Sequence, residues 1–191
     1  MPSMFKKIQM MFAALLCTAL LAACSQLTQY ALTEQQVNEY LQQKVEFQKQ
    51  LGLPGVFEAN ITLKDMQAKI GRAEPNQVIL NGTADLNLST LVGQEHADVA
   101  LSLAARPYFD SETGAIYLRE MQLLNATVTP QSLEKSTKVL MPYLKNSLQL
   151  FFNQTPVYVL DSNRSKEEAL VRQLAKGIEI KPGKIIIPLS E

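Results

Sequence analysis

The chain has 191 residues, of which 47% are hydrophobic, and 18 basic side chains balance 18 acidic ones. That length suits one domain with an ample apolar core, and the balanced charge removes the electrostatic case for a nucleic-acid partner. Two cysteines and one histidine exclude a disulfide framework, a cysteine-based metal centre and a multi-histidine one.

Lys6 and Lys7 precede an unbroken apolar and small-residue run, Met10 to Ala23, which ends in Leu21-Ala22-Ala23-Cys24. A basic start, a short apolar stretch and small residues before a cut site describe a secretory signal. The run is too short for a membrane span, which needs roughly 20 apolar residues. A cysteine directly after Leu-Ala-Ala resembles the lipobox of bacterial lipoproteins. That resemblance implies removal of residues 1–23, acylation of Cys24 and anchorage by acyl chains. Each buried methylene contributes about 0.8 kcal/mol and stable anchoring takes two chains, so a triacylated Cys24 would hold permanently. Lipoproteins retained at the inner membrane commonly carry Asp after the cysteine; Ser25 resembles the class sorted to the outer membrane. Cys17 leaves with the signal and Cys24 is consumed by lipid, so the remaining domain has no thiol.

Residues 24–32 read as a lipidated tether, and residues 33–191 as a single domain. Thr33 followed by Gln36 forms a capping box. Val37, Leu41 and Val45 then recur at helical spacing and predict an amphipathic helix over about 34–48, stopped by Gly52, Pro54 and Gly55. From Val56 to Val128 the period becomes two. Phe57, Ala59, Ile61 and Leu63 alternate with polar partners, as do Ala97, Val99, Leu101 and Leu103. Asn81-Gly82 is a turn signal, the segment from Asp110 to Gly114 is a second turn, and Pro107 is expected to end its strand. The pattern predicts four or more antiparallel strands with one wetted face.

Pro130 suits a helix start, and a helix is predicted to Asn153 with a kink at Pro142. Leu133, Leu140, Leu144, Leu148 and Phe151 share one line. Met141 and Phe152 widen the apolar arc on one side, and Val139, Tyr143 and Leu150 on the other. The arc spans roughly 220°, about twice the stripe of a surface helix, so a helix covered on more than one side is expected. Lys135, Lys138 and Lys145 belong to its polar strip. Further on, Pro156 to Leu160 reads as a short strand, and Ser165 with Glu168 opens a helix capped by Gly177. Ile178–Ile180 and Ile185–Ile187 flank Pro182-Gly183, which suits a type II turn.

No nucleophile elbow, zinc-protease helix or phosphate-binding glycine pattern occurs. His96 reads as a solvated loop residue, and no metal ligand set, cofactor or catalytic residue is expected. The wide arc is the one positive feature, and it has two readings. Met141, Leu144, Leu148, Phe151 and Phe152 either line a groove for an acyl chain or similar apolar ligand, or fill a dry core.

Six segments carry a further resemblance. Cys24-Ser-Gln-Leu-Thr-Gln-Tyr30, Leu51-Gly-Leu-Pro-Gly-Val56, Ile70-Gly-Arg-Ala-Glu-Pro-Asn76, Met141-Pro-Tyr-Leu144, Phe152-Asn-Gln-Thr-Pro156 and Lys176-Gly-Ile-Glu-Ile-Lys-Pro-Gly183 are similar, in order, to the YceB-like outer-membrane lipoproteins of enteric bacteria. The resemblance implies an α+β fold like one half of the tubular lipid-binding (TULIP, BPI-like) proteins. There a strongly twisted antiparallel sheet wraps one long helix, here with flanking N- and C-terminal helices. It implies no catalytic motif, and it maps only the lipidation site, Cys24. The expected function is a non-enzymatic, periplasm-facing outer-membrane lipoprotein that binds a lipid or other hydrophobic ligand. The alternative is an assembly lipoprotein with a dry core that recruits an envelope protein.

Overall fold

Period-two alternation does build the long strands, but it slips by one residue at three places, and those slips shape the sheet. In a computed structural model that describes residues 28–53, 57–91 and 93–189, the chain runs β1 (Gln29–Thr33), α1 (Glu34–Lys44), β2 (Phe47–Leu53), β3 (Phe57–Ile70), β4 (Val78–Thr90), β5 (Gly93–Asp110) and β6 (Ala115–Thr129). It continues as α2 (Glu134–Lys138), α3 (Met141–Gln154), β7 (Tyr158–Val159), α4 (Lys166–Leu174), β8 (Glu179–Lys181) and β9 (Lys184–Pro188). The signal segment, Cys24 and Ser25 lie outside the described residues.

Six strands form one antiparallel sheet in the order β2-β3-β4-β5-β6-β7, and β1-β9-β8 form a second. In β3 the inward side chains are Ala59, Ile61 and Leu63, then Met66, Ala68 and Ile70. The change from odd to even positions is a bulge: Asp65 and Met66 together face Gly82 of β4. In β6 the inward set moves from Leu118 to Met121 and from Leu123 to Ala126, again at register shifts against β5. Each bulge bends its strand and adds right-handed twist, so the sheet curls around the apolar interior.

Two of the three bulges share one local sequence. Lys64-Asp65-Met66-Gln67 and Arg119-Glu120-Met121-Gln122 each hold the acidic residue at φ 53° and bury the methionine. Left-handed backbone costs a residue with a Cβ about 1–2 kcal/mol, a cost glycine escapes. Glu120→Gly is therefore expected to stabilise the protein by about 1 kcal/mol in urea denaturation. The lost Glu120–Arg106 ion pair, 3.2 Å apart and solvent-exposed, offsets little of that. A loss of stability would mean that the glutamate's own contacts hold the bulge.

Several expectations are corrected. Asn81-Gly82 is not a turn but lies inside β4. A Cβ on Gly82 would stand 3.2 Å from the Lys64 carbonyl oxygen, so the glycine lets the bulge sit close against β4. Pro107 does not end β5; β4 begins at Val78, opposite Ala105, so Pro107 lies where one side of β5 has no ladder to interrupt. The first helix stops at Lys44, and Phe47–Leu53, read within and after that helix, is an edge strand paired with β3. The tether is shorter than expected: Gln29 already pairs with Pro188, and Leu32 lies in the core with no exposure. Helix α4 ends at Leu174, without Gly177 as its cap.

The single long helix is broken. Pro142 has no N–H, and its ring would collide with the carbonyl four residues back, at Lys138. Helix α2 ends at that residue, and α3 starts afresh with proline in its first turn. Helix α1 packs on β3 and α3 on β6. Phe151 of α3 also meets Phe47 of β2 edge to face, with centroids 5.1 Å apart. Since β2 and β6 are the outermost long strands of the curled sheet, α3 touches both margins and lies across the opening between them.

Candidate functional site

The repeat Leu140, Leu144, Leu148, Phe152 directs one line of α3 and its cap into the interior, where all four are buried. Met141 and Phe151 sit at the edge of that line, half-buried against the core. Phe152, expected on a flank, is wholly inside. The opposite flank is outside: Val139, Tyr143 and Leu150 are 68%, 62% and 63% exposed. The helix is thus covered on one side and bare on the other. The apolar void behind α1, lined by Val37, Leu41, Ile70, Val78, Ile116 and Ile185 among others, measures about 10 Å³. A water needs about that much or more, and none of Met141, Leu144, Leu148, Phe151 and Phe152 borders it.

Open space lies next door. β2 ends its pairing at Phe47, opposite Leu63, while β3 continues. The notch left between the end of α1 and the β3 bulge has a volume of about 610 Å³, within the range of ligand sites. Leu41, Val45, Phe47, Leu63 and Met66 lie at its floor, and Gln42, Glu46, Gln48, Thr62, Lys64, Asp65 and Gln67 make a broad polar rim. Phe47 connects this floor to α3, because it touches Phe151, whose ring in turn packs at 5.1 Å on Phe152.

A buried carboxylate ties the two sheets together. Glu168, 2% exposed, accepts from the Tyr158 hydroxyl at 2.9 Å, the Asp161 amide at 2.8 Å, Arg164 Nη1 at 2.9 and 3.0 Å, and the Tyr30 hydroxyl at 3.3 Å. Burial, and then the hydrogen bond to Glu168, push the Tyr158 phenol well above its ordinary range. Tyr30 is raised by burial and by the Glu168 charge. Ser165 caps α4 through the Glu168 amide, but the Glu168 side chain turns inward instead of completing a capping box. The signal for this was available: Glu168 shares a helix face with Val171 and Ala175.

On the outer face of the sheet His96 lies in β5, not in a loop, and stands with Asp85 and Asp98. Its Nδ1 is 3.5 Å from Asp85 and its Nε2 3.8 Å from Asp98, so the two ring nitrogens address different carboxylates. Asp85 also pairs with Lys64 at 2.5 Å, whose hydrogen bond holds its carboxyl below the usual range. A charge network accounts for these contacts.

Fold and site together define a small α+β domain: a curled antiparallel sheet with an apolar helix across its opening and an open notch at its margin. Among the described residues no helix is long and apolar enough to cross a membrane. Residues 32–184 match the family described as protein of unknown function DUF1439, and the chain belongs to that family. It is 49% identical over 178 residues to the uncharacterized lipoprotein YceB of Salmonella typhimurium, covering 93% of this chain and 96% of that one. The YceB of Escherichia coli is 47% identical over 179 residues, covering 94% of this chain and 96% of the relative. Among solved structures, a lipopolysaccharide binding protein aligns with 85% of this chain and 49% of its own, at 9% identity and a TM-score of 0.34.

Proposed function

We propose that this protein is a non-enzymatic lipoprotein, held by acylated Cys24 at the periplasmic face of the outer membrane, that binds a lipid or similar apolar ligand. The observation that carries the reading is the notch at the sheet margin. Its volume suits an acyl chain, its floor is apolar, and Phe47 links that floor directly to the helix across the opening. An acyl chain entering there would meet Met66, Leu63 and Phe47 first, with Phe151 and Met141 of α3 beyond. The relatives' name as lipoproteins and the lipobox resemblance support the anchorage.

A fluorescent fatty acid titrated into the mature protein, with native mass spectrometry of material taken from the envelope, tests this reading. Saturable uptake and co-purified lipid are expected. Gln42→Trp, which fills the notch from an exposed helix position, should weaken uptake at least about tenfold, or 1.4 kcal/mol, and leave the thermal midpoint in place. Absence of both uptake and lipid would sink the proposal. A second reading, recruitment of an envelope protein, draws on a different observation, the exposed apolar flank Val139, Tyr143 and Leu150. It is favoured if the protein is empty and one stoichiometric partner is lost on Tyr143→Ser.

A further inference from the structure

The bulges do more than curl the sheet. They align four uncharged polar side chains on one rung of its outer face. Gln67 of β3 stands opposite Asn81 of β4, Asn81 opposite Ser102 of β5, and Ser102 opposite Asn125 of β6. Gln67 is the first paired residue after the β3 bulge, and Asn125 borders the β6 bulge at Leu124. Without those slips other residues would fill the ends of the rung. Neighbouring strands are about 4.8 Å apart, so the row extends for about 14 Å. It lies in a shallow furrow of about 410 Å³ whose other walls include Gly82, Thr83 and Ala100. These are small groups, which keep the furrow open.

None of the four side chains is engaged by a hydrogen bond within the described residues, although each carries donors and acceptors. The contrast with the same face four and six residues along β4 is sharp, where Asp85 and Asn87 are tied to Lys64 and His96. The chemistry of the row selects its ligand. Asp65 at the margin is the furrow's one charged group, which disfavours phosphates and nucleic acid. Amides and a hydroxyl offer nothing to an acyl chain. The strand backbones beneath are committed to the ladder, so an extended peptide cannot add to them by strand pairing. What remains is a ligand that is neutral and itself a line of hydroxyls or acetamides, with a repeat close to the strand spacing. A pyranose ring has that length.

We propose that the rung Gln67–Asn81–Ser102–Asn125 is a binding site for a neutral glycan chain lying across strands β3 to β6, three or four sugar units long. The site adjoins the notch, with Gln67 on the border between them, but it takes a ligand of different chemistry and needs no apolar one.

The mature, lipid-anchored protein in detergent micelles is titrated with a water-soluble β-1,4-linked N-acetylglucosamine tetramer. Binding is followed by calorimetry and by the side-chain amide resonances of Gln67, Asn81 and Asn125. Saturable movement of those three resonances is expected. Asn81→Ala and Asn125→Ala should each lower affinity at least fivefold and together abolish it, with the thermal midpoint unchanged, while Gln94→Ala and the notch variant Gln42→Trp bind as the parent. Two outcomes overturn the proposal: no movement of these resonances at the solubility limit of the tetramer, or binding that survives the double substitution.

Discussion

Phe152→Ala is expected to cost about 3–5 kcal/mol, the range for truncating a buried aromatic ring. Phe152 has no exposed surface. It closes the inward line of α3 and packs at 5.1 Å against Phe151, itself in contact with Phe47. Removing it leaves a void where the helix crosses between β6 and β2, and these strands, each held in its ladder, can collapse only partly into it. A domain of this size is stabilised by about 5–15 kcal/mol in all, so one substitution would consume a large share. In urea the midpoint should fall with little change in slope, because the surface exposed on unfolding is nearly the same. Phe151→Ala and Met141→Ala, both half-buried, should cost clearly less. A value below about 1 kcal/mol for Phe152→Ala would mean that α3 is not packed on the core, and the closed opening described above would be wrong.

What the sequence disclosed follows the range of the physical cause. Local causes were legible. Thr33 caps α1 with Gln36 reaching back as the spacing required. Asp110 Oδ1 accepts from Glu112 and Thr113 in the expected turn, and Gly183 takes φ 77° in the closing hairpin. The antiparallel strands between Val56 and Val128 appear as β3 to β6. Pro142 was legible in kind but not in consequence, since a proline can kink a helix or begin one. The position of Lys138 one turn earlier decides for the second. Asn81-Gly82 misled because glycine serves a bulge as well as a turn, and only the register against Lys64 distinguishes them. The parity slips at Leu63–Met66 and Leu118–Met121 were present in the pattern and could have been read as bulges. The apolar arc was read about one flank too wide. Val139, Tyr143 and Leu150 are apolar by type, yet among the described residues no element covers them. Contacts between distant segments left no local trace: Tyr30 reaches Glu168 across 138 positions, and the polar rung exists only once four strands are in register.

Glu168→Ala is expected to cost about 2–4 kcal/mol, although it removes a charged residue from a largely apolar setting. In the native protein that carboxylate satisfies the Tyr158 hydroxyl, the Asp161 amide and Arg164 at once. Alanine leaves these donors without their acceptor, and the tyrosine and amide are too enclosed for water to replace it fully. Arg164 is 44% exposed and recovers part of its loss in solvent, which keeps the figure below that of a wholly buried pair. Glu168→Gln retains the shape and one acceptor oxygen and should lose roughly half as much. The same cluster sets an alkaline limit. Because Tyr30 and Tyr158 titrate above the ordinary tyrosine value in the folded state, their contribution is complete below about pH 10, the value for the unfolded chain. It declines as pH rises beyond that, where the unfolded chain ionises first. Removing Glu168 relieves the charge that helps hold both phenols up, so the variant, already weaker at pH 7, should lose less additional stability between neutral and strongly alkaline solution. Parallel alkaline profiles for parent and variant would show that the carboxylate does not govern the two tyrosines, and that burial alone does.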